Sequence, residues 1–523
     1  MKAVLGLVFP GRSWQNAASF CQDLPKDGRK YGFLRTDLLK RAKCGWGVSS
    51  CDGPTVELFS KVEKERSGEQ VSYARQAENI GRVRRSLASA VTVALAVLPA
   101  TAGAQSAPLP QRDVTAIYQR LLPEIEKIKI FDNHAHPGYA DDPDVDAMAA
   151  TPGSTPFRLR DDNPELVVAA KSLFGYPYHD LSPEHSRWLL AKKAELKKSD
   201  GREYFNRILD QLGIEASAAN RVAMPGYLDP ARFLWVVFVD SFFFPFDNRD
   251  FSSRNPDEAI FIPLQEKVLH RYMAQASLAS LPPDFSGYLA FITKVLEQDK
   301  ARGAIAIKFE AAYFRSLSFD DPPVEEASAV YGKYRGGGTP SPQEYKAFQD
   351  YVFRYLVREG GRLRLPVHIH TLEGIGDYFH FRDGDVFNLE NVLRDPRYLG
   401  TTFVLLHGGY PYERAAVWLT AMKNVYIGSS LMELILYPSE FKQVLKEWLE
   451  VYPDKIMYGS DAFPFTEAMG AEEAYWIAVH SARTALAAAL AEMVAEDEVT
   501  EVQARELARG YLHDNAVRLY GRR

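Results

Sequence analysis

The sequence has 523 residues, 46% of them hydrophobic and 25% charged, a composition that excludes disordered, fibrous and disulfide-stapled proteins. Residues 1–104 carry 16 Lys and Arg against 9 Asp and Glu, whereas residues 105–523 carry 46 against 59. An acidic body without a basic stripe argues against nucleic acid or an anionic membrane surface as a partner.

A targeting signal is predicted where the basic and acidic parts join. Arg82, Arg84 and Arg85 precede an uncharged run at 87–98 and an A-x-A sequence at 102–104. This order is typical of a signal peptide, here at 83–104, and the apolar run is too short to span a bilayer. We therefore expect residues 1–82 to be an upstream extension, mistranslated or disordered. The body, 105–523, is expected to be exported, periplasmic or secreted, with no integral membrane segment.

Beyond the signal the chain alternates short apolar runs with stretches of helical periodicity, the pattern of a parallel sheet covered by helices. Eight runs are predicted as strands: Ile128–Asn133, Ala216–Met224, Phe233–Val239, Ala304–Phe309, Pro366–Thr371, Thr402–His407, Asn424–Ser429 and Lys455–Gly459. Helical periodicity covers Pro342–Arg358, Glu413–Met422, Pro438–Val451 and Ala471–Met493. Eight strands predict an α/β fold, a closed (β/α)8 TIM barrel.

Two interruptions are longer than ordinary loops. Residues 138–200 separate the first two strands and contain helical stretches near Pro164–Leu173 and Pro183–Lys198. Residues 313–341 follow the fourth strand and are predicted to be a mobile loop. Because the loops that follow strands build the active-site face of such a barrel, both insertions are expected to overhang the site.

Residues with metal-binding or catalytic side chains lie at the ends of five predicted strands. His134 and His136 are two apart, so on a strand their imidazoles point to one side, and His368 and His370 repeat the spacing. The remaining positions are Lys308, His407 and Asp461. One H-x-H alone fits imidazoles bonded to neighbouring backbone. Several imidazoles with one Asp favour a catalytic zinc or similar divalent ion with an open position for water.

The flanking sequences resemble the amidohydrolase superfamily, in its amidohydrolase-related (amidohydrolase 2) branch. They are most similar to the amidohydrolase-like domain that is fused to glutamine synthetase in some plant and fungal proteins. The matching segments are Asp132–Pro137, Ala306–Lys308 with Ala312 and Tyr313, Leu365–Thr371, Leu405–Pro411, Asn424–Ile427 and Gly459–Asp461. The resemblance runs from about residue 125 to the C-terminus.

The resemblance implies that a divalent metal, zinc in the first instance, is bound by His134, His136, His370 and Asp461. It implies that His407 is an acid/base group next to the ligands or a further ligand. Lys308 is implied to be either a carboxylated lysine that bridges two metals or a cationic substrate contact, so the site holds one metal or two.

General chemistry gives the same residues roles. Asp461 can accept the proton of the attacking water, and His407 can stabilise an oxyanion or protonate the leaving group. His368 is a core histidine, a substrate contact or an alternative ligand. Tyr313 and Arg315 could bind a substrate carboxylate by a forked contact, or they are loop residues in surface pairs.

The function predicted first is metal-dependent hydrolysis of an amide, cyclic amide, ester or lactone bond of a small molecule by metal-activated water. The first alternative is a metal-dependent decarboxylase of the same branch, which would use a cationic pocket of Lys308 and Arg315. The second alternative is a non-catalytic relative that captures a ligand. The sequence is compatible with a homo-oligomer.

Overall fold

The computed structural model describes residues 112–146, 155–256, 258–371 and 379–521. These residues lie within one compact unit, Pro108–Arg523. The predictions for the extension at 1–82 and the signal peptide at 83–104 lie outside the described residues.

Eight parallel strands form one sheet in which each strand pairs with the next along the chain. The strands are β1 (Ile130–Ala135), β2 (Ile214–Asn220), β3 (Phe233–Phe238), β4 (Ala306–Phe309), β5 (Val367–His370), β6 (Phe403–Leu406), β7 (Val425–Gly428) and β8 (Ile456–Met457). Each strand overlaps one of the eight predicted runs, so the predicted (β/α)8 barrel is confirmed.

Backbone hydrogen bonds join the end of β1 to the segment that follows β8. Ser460 donates to the carbonyl of His134 at 3.1 Å, and His136 donates to the carbonyl of Ala462 at 2.8 Å. These bonds bring the last strand against the first. His134, His136 and Asp461, which are far apart in sequence, therefore meet at the carboxyl end of the barrel.

Helices cover the outside of the sheet, so the strands are buried on both faces and are nearly continuous apolar runs. All residues of β1 and β3 are buried. The helices are α1 (Val114–Glu126), α2 (Pro164–Phe174), α3 (Pro183–Asp200), α4 (Glu203–Leu212), α5 (Arg249–Arg254), α6 (Ile262–Gln275), α7 (Phe285–Ala301), α8 (Val324–Tyr334), α9 (Pro342–Leu363), α10 (Glu390–Leu393), α11 (Glu413–Ala416), α12 (Met432–Ile435), α13 (Pro438–Val451), α14 (Ala471–Ala495), α15 (Glu501–Arg509) and α16 (Asn515–Tyr520).

The predicted helices agree with the structure except at one position. Helix α13 has the predicted bounds, while α9 and α14 extend past them to Leu363 and Ala495. The stretch predicted as one helix at Glu413–Met422 divides into α11 and a 3-10 segment, Val417–Ala421.

The insertion after β1 contains α2 and α3, as predicted, and it is fixed to α14. The ammonium of Lys193 on α3 lies 2.8 Å from Glu473 and 3.4 Å from Glu472 on α14, and all three side chains are buried. Tyr204 on α4 donates to Glu472 at 2.5 Å. This buried ion-pair cluster fixes the insertion to the start of α14, which follows the segment that carries Asp461.

The segment 313–341, expected to be a mobile loop, contains helix α8. Its residues Leu317 and Phe319 are fully buried. Phe319 stacks on Phe353 of α9 with 3.6 Å between ring centroids. Apolar side chains at the start of this segment thus pack it against the barrel, which the glycines and prolines of its sequence did not indicate.

A third long connection, residues 239–305 between β3 and β4, contains α5, α6 and α7. Sequence analysis did not single out this connection.

Within the described ranges, α14 is the one helix long and apolar enough to cross a membrane, and 72% of that apolar stretch is buried inside the protein. Its apolar surface packs on α1 and α13.

Candidate metal centre

The predicted ligand residues converge at the carboxyl end of the barrel. His134 is the last residue but one of β1 and His136 follows that strand, His370 ends β5, His407 follows β6, and Asp461 follows β8. The four imidazoles are at most 5% exposed, and Asp461 is 8% exposed. Charged and polar groups at this depth need partners or a metal ion.

Three ligand atoms form a compact triangle. Nε2 of His134 lies 3.0 Å from Oδ1 of Asp461, and Nε2 of His136 lies 3.4 Å from the same oxygen. The two Nε2 atoms are 3.3 Å apart. Ligands about 2.1 Å from a tetrahedral metal ion are about 3.4 Å from one another, so this triangle has the dimensions of a metal site.

A second contact orients each of two histidines. Nδ1 of His136 lies 2.8 Å from Oδ2 of Asp146, which directs Nε2 toward Asp461. Burial opposes the charged form of His136, but Asp146 and Asp461 outweigh it and raise its pKa to about 9. The amide of Asn220, at the end of β2, lies 2.8 Å from Nδ1 of His134. Such outer contacts fix the ring orientation of metal-binding histidines.

His407 presents Nε2 to the same cluster. Its Nδ1 donates to the carbonyl of Ser430 at 3.1 Å, so the opposite nitrogen carries the lone pair. Ligand atoms of His407, His134 and Asp461 lie within 4.8 Å of one another. Burial lowers the pKa of His407 to about 4, which keeps the ring neutral at neutral pH.

Two of these residues have left-handed backbone conformations, with φ +62° at His407 and +51° at Asp461. Such angles are costly for residues with a Cβ and are concentrated at functional sites. Gly408, also left-handed, passes so close to Trp448 that a Cβ would lie 2.7 Å from its ring. The His-Gly sequence thus allows the tight turn that aims His407 inward.

Asp132 holds the β1 and β8 ends together from below. Its Oδ1 accepts from the backbone of Ser460 at 2.8 Å and of His134 at 3.2 Å. Its Oδ2 accepts from the hydroxyls of Ser460 at 2.7 Å and Ser217 at 2.8 Å. One carboxylate thereby fixes the residues next to both Asp461 and His134.

The ring of His370 lies next to those of His407 and Tyr313 at the carboxyl end of the barrel. The ring of His370 lies 4.4 Å from that of His407 and 4.5 Å from that of Tyr313, between centroids. Nε2 of His370 is buried without a hydrogen-bond partner among the described residues. Tyr313 therefore lies beside the site as predicted for a substrate contact, and the unpartnered nitrogen fits a further metal ligand.

Lys308 points into the same interior from β4 and is 1% exposed. Its Nζ lies 3.6 Å from Oε1 of Glu310. Asp240, after β3, accepts from the backbone of Glu310 at 2.8 Å. Burial raises the pKa of Asp240 to about 7, and burial followed by Asp146 raises the pKa of Glu310.

Two residues predicted as substrate contacts have other partners. His368 lies one layer below the ligands, where Nε2 is 2.6 Å from the hydroxyl of Tyr520, and it is fully buried. This is the core position among its three alternatives, and burial lowers its pKa to about 3. The guanidinium of Arg315 bonds to Asp350 at 2.6 Å and Gln349 at 3.1 Å. Arg315 therefore fastens its loop to α9 and is not directed at a substrate.

Sequence analysis did not identify five polar residues of this region: Asp132, Asp146, Asn220, Asp240 and Glu310. One signal was available, because Lys308 and Glu310 have the same two-residue spacing as His134 and His136. The partnership of Asp146 with His136 spans a loop and leaves no local pattern. The donor set of imidazoles with carboxylate, and the unpartnered His370 Nε2, fit a divalent metal ion.

Comparisons with known proteins find a family match and one partial relative. The sequence model of the amidohydrolase family matches residues 273–522. Protein fluG of Emericella nidulans is 28% identical over 158 residues, 30% of this chain and 17% of that relative, so the match spans under a fifth of its length.

Two solved structures show the same fold. A Lactobacillus casei ATCC 334 protein described as a metal-dependent hydrolase has a TM-score of 0.50 at 17% identity, over 77% of this chain and 97% of its own. Uronate isomerase of Thermotoga maritima has a TM-score of 0.50 at 14% identity, with the same coverage.

Proposed function

Because the sequence model of the amidohydrolase family matches residues 273–522, we propose that the protein is a metal-dependent hydrolase that cleaves an amide, cyclic amide, ester or lactone bond of a small molecule. The observation that carries this proposal is the triangle of His134, His136 and Asp461 atoms with edges of 3.0–3.4 Å. We propose zinc as the metal, because imidazole nitrogens with one carboxylate suit it. When bound, such an ion lowers the pKa of water and polarises a carbonyl oxygen.

Asp461 is assigned the proton transfers. His134 and His136 hydrogen-bond its carboxylate and, against the effect of burial, lower its pKa, so it is an anion that can accept a proton. Its left-handed backbone and the hydrogen bonds to Asp132 at the preceding residue fix its position. In the substrate complex it would take the proton of the attacking water and pass it to the leaving group.

His407 is proposed to act beside Asp461, because ligand atoms of the two residues lie within 4.8 Å of each other. With Nδ1 donating to Ser430, its Nε2 is an acceptor. Of the roles predicted from sequence, this tautomer fits a further metal ligand or a group that accepts a proton, whereas stabilising an oxyanion or protonating the leaving group would need a proton on Nε2.

Lys308 is proposed to remain a cation. Glu310 lies 3.6 Å from its ammonium, and Asp240 is close behind. A carboxylated lysine would add a negative charge beside these carboxyl groups, so a free ammonium and a single metal ion are favoured.

The test is turnover and metal content of wild type and Asp461→Asn, after zinc loading, against a panel of amides, lactones and esters. We expect zinc-dependent hydrolysis by wild type, and a variant that keeps most of its zinc but loses turnover. The matched control is Asp350→Asn. Asp350 is a buried carboxyl group on α9 that pairs with Arg315, and this variant should retain activity. Undiminished hydrolysis by Asp461→Asn would refute the role of Asp461.

The decarboxylase alternative loses part of its basis, because Arg315, one of its two predicted cations, is paired with Asp350. A panel of carboxylated aromatic acids, assayed for carbon dioxide release with the same zinc-loaded protein, distinguishes the two reactions.

We also propose that the protein is exported after cleavage of a signal peptide at 83–104. N-terminal sequencing of native protein should give a start near Gln105, and a start near Lys2 would contradict the proposal.

A further inference from the structure

Asp240, which follows β3, and Glu310, which follows β4, are two carboxyl groups at the carboxyl end of the barrel that the proposed reaction does not use. Lys308 is in register with Phe238 on β3 and with His368 on β5. Two residues further along each strand, Asp240 and Glu310 come to the level of the ligand histidine of β5. Glu310 also has a ligand atom within 4.8 Å of His136, so this pair lies beside the candidate metal centre.

Within the described ranges, each of these carboxyl groups has one oxygen without a hydrogen-bond partner. Oδ2 of Asp240 accepts from the Glu310 backbone at 2.8 Å, while its Oδ1 has no hydrogen-bond partner among the described residues. Oε1 of Glu310 faces Lys308 at 3.6 Å, while its Oε2 is likewise unpartnered within that part of the chain. Asp240 is 0% exposed and Glu310 is 2% exposed. Buried acceptors without donors are costly, so these two oxygens are suited to receive donors from a ligand.

The charges indicate what kind of donor fits. Asp146 is a third carboxyl group here, and ligand atoms of Asp146, Glu310 and His136 lie within 4.8 Å of one another. Asp146 pairs with His136 at 2.8 Å, and the ammonium of Lys308 faces the other oxygen of Glu310, so neither of these cations serves the two unpartnered oxygens. An ammonium group brings three N–H donors and can serve both oxygens, whereas a hydroxyl group brings one donor.

We propose that Asp240 and Glu310 bind a protonated amine of the substrate, so that the preferred substrate carries an ammonium group near the bond that is cleaved. This inference rests on the proposed hydrolase function, because it places the amine next to the metal centre. It names the substrate class as amino-substituted amides, lactones or esters.

The test uses three small carboxylates that differ in one group and resist hydrolysis: 3-aminopropanoate, 3-hydroxypropanoate and propanoate. Their binding to the zinc-loaded full chain is measured by titration calorimetry for wild type, Glu310→Gln and Asp240→Asn. Glu359→Gln is the matched control, since Glu359 is a buried carboxyl group on α9 that pairs with Thr293 and Arg362. Circular dichroism checks that each variant is folded.

We expect wild type to bind 3-aminopropanoate at least tenfold more tightly than propanoate, with 3-hydroxypropanoate nearer to propanoate. Glu310→Gln and Asp240→Asn should each reduce the preference to about threefold or less and leave propanoate binding unchanged, while Glu359→Gln keeps it. If Asp240→Asn fails to fold, Glu310→Gln alone decides.

The proposal is overturned if wild type shows no preference for the amine, if the hydroxyl compound binds as tightly as the amine, or if the preference survives Glu310→Gln. Because binding is read without turnover, these outcomes are independent of hydrolysis. Loss of the amine preference in a protein that still hydrolyses amides would refute this inference alone. An amine preference in a protein without hydrolysis would refute the proposed function alone.

Discussion

Replacement of Asp132 by alanine should lower both the stability of the protein and its affinity for zinc, because Asp132 lies behind the ligand residues. The carboxylate accepts backbone hydrogen bonds from His134 and Ser460. The amide of Ser460 also bonds to the carbonyl of His134 at 3.1 Å, so the amide of His134 is the donor that loses most. A buried donor left without its acceptor costs about 1–3 kcal/mol, so the substitution should lower the free energy of unfolding by about that amount.

The two hydroxyl donors to Asp132 are less affected by this change. Ser217 also bonds to the hydroxyl of Tyr475 at 2.9 Å, and Ser460 lies 3.5 Å from the carbonyl of His134. Asparagine at 132 can keep both backbone bonds through Oδ1 and donate its NH2 to the two hydroxyls. Asp132→Asn should therefore recover most of the stability that alanine loses.

The assay is urea unfolding of the three proteins, together with zinc affinity by competition with a chelator. Besides the loss of stability, Asp132→Ala should bind zinc about 10–100-fold more weakly, because contacts behind metal ligands have effects of this size. Ser217→Ala, which removes one hydroxyl and neither backbone donor, should cost about 1 kcal/mol and leave zinc affinity unchanged. Wild-type zinc affinity in a folded Asp132→Ala protein would refute the positioning role of Asp132.

Three further predictions concern Asp146, His136 and Glu433. Asp146→Asn should weaken zinc binding about 10–100-fold by releasing the ring of His136, measured by the same chelator competition; unchanged affinity would show that Asp146 does not orient the ligand. Because the pKa of His136 is about 9 before metal binding, zinc should displace about one proton at pH 7.5, and its affinity should rise about tenfold per pH unit up to about pH 9. Calorimetry in two buffers with different protonation enthalpies measures this release, and a value near zero would contradict the assignment. Glu433 is a fully buried carboxyl group on α12. Burial raises its pKa to about 8, above its value in an unfolded chain, so its contribution to stability is present at acidic pH and is lost as the pH rises through 8. Glu433→Gln should accordingly flatten the fall in unfolding free energy between about pH 5 and 8, measured by urea unfolding. An unchanged slope would contradict the assignment of this fall to Glu433.

The barrel could be predicted from sequence because each of its strands is a local run of apolar residues. The ligands could be predicted because they end those runs, and two-residue spacing puts His134 and His136 on one side of β1. Both signals are local in sequence, and the closure of the barrel brings the residues that carry them together in space.

What sequence analysis missed depends on contacts between distant segments. Arg315 follows β4 at the mouth, and only the position of α9 shows that Asp350 occupies its guanidinium. His368 has the spacing of a ligand, but the C-terminal Tyr520, 152 residues away, bonds to its ring. Asp146 lies in a connection without regular pattern, and its role becomes apparent from its 2.8 Å distance to His136.

The central claim is that His134, His136 and Asp461 bind one divalent metal ion. The most direct measurement is a crystal structure of the zinc-loaded protein with anomalous data at the zinc edge. The account predicts one strong peak, about 2.0–2.2 Å from Nε2 of both histidines and from Oδ1 of Asp461. A stoichiometric peak elsewhere, for example between Nδ1 of His136 and the carboxyl group of Glu310, would contradict it.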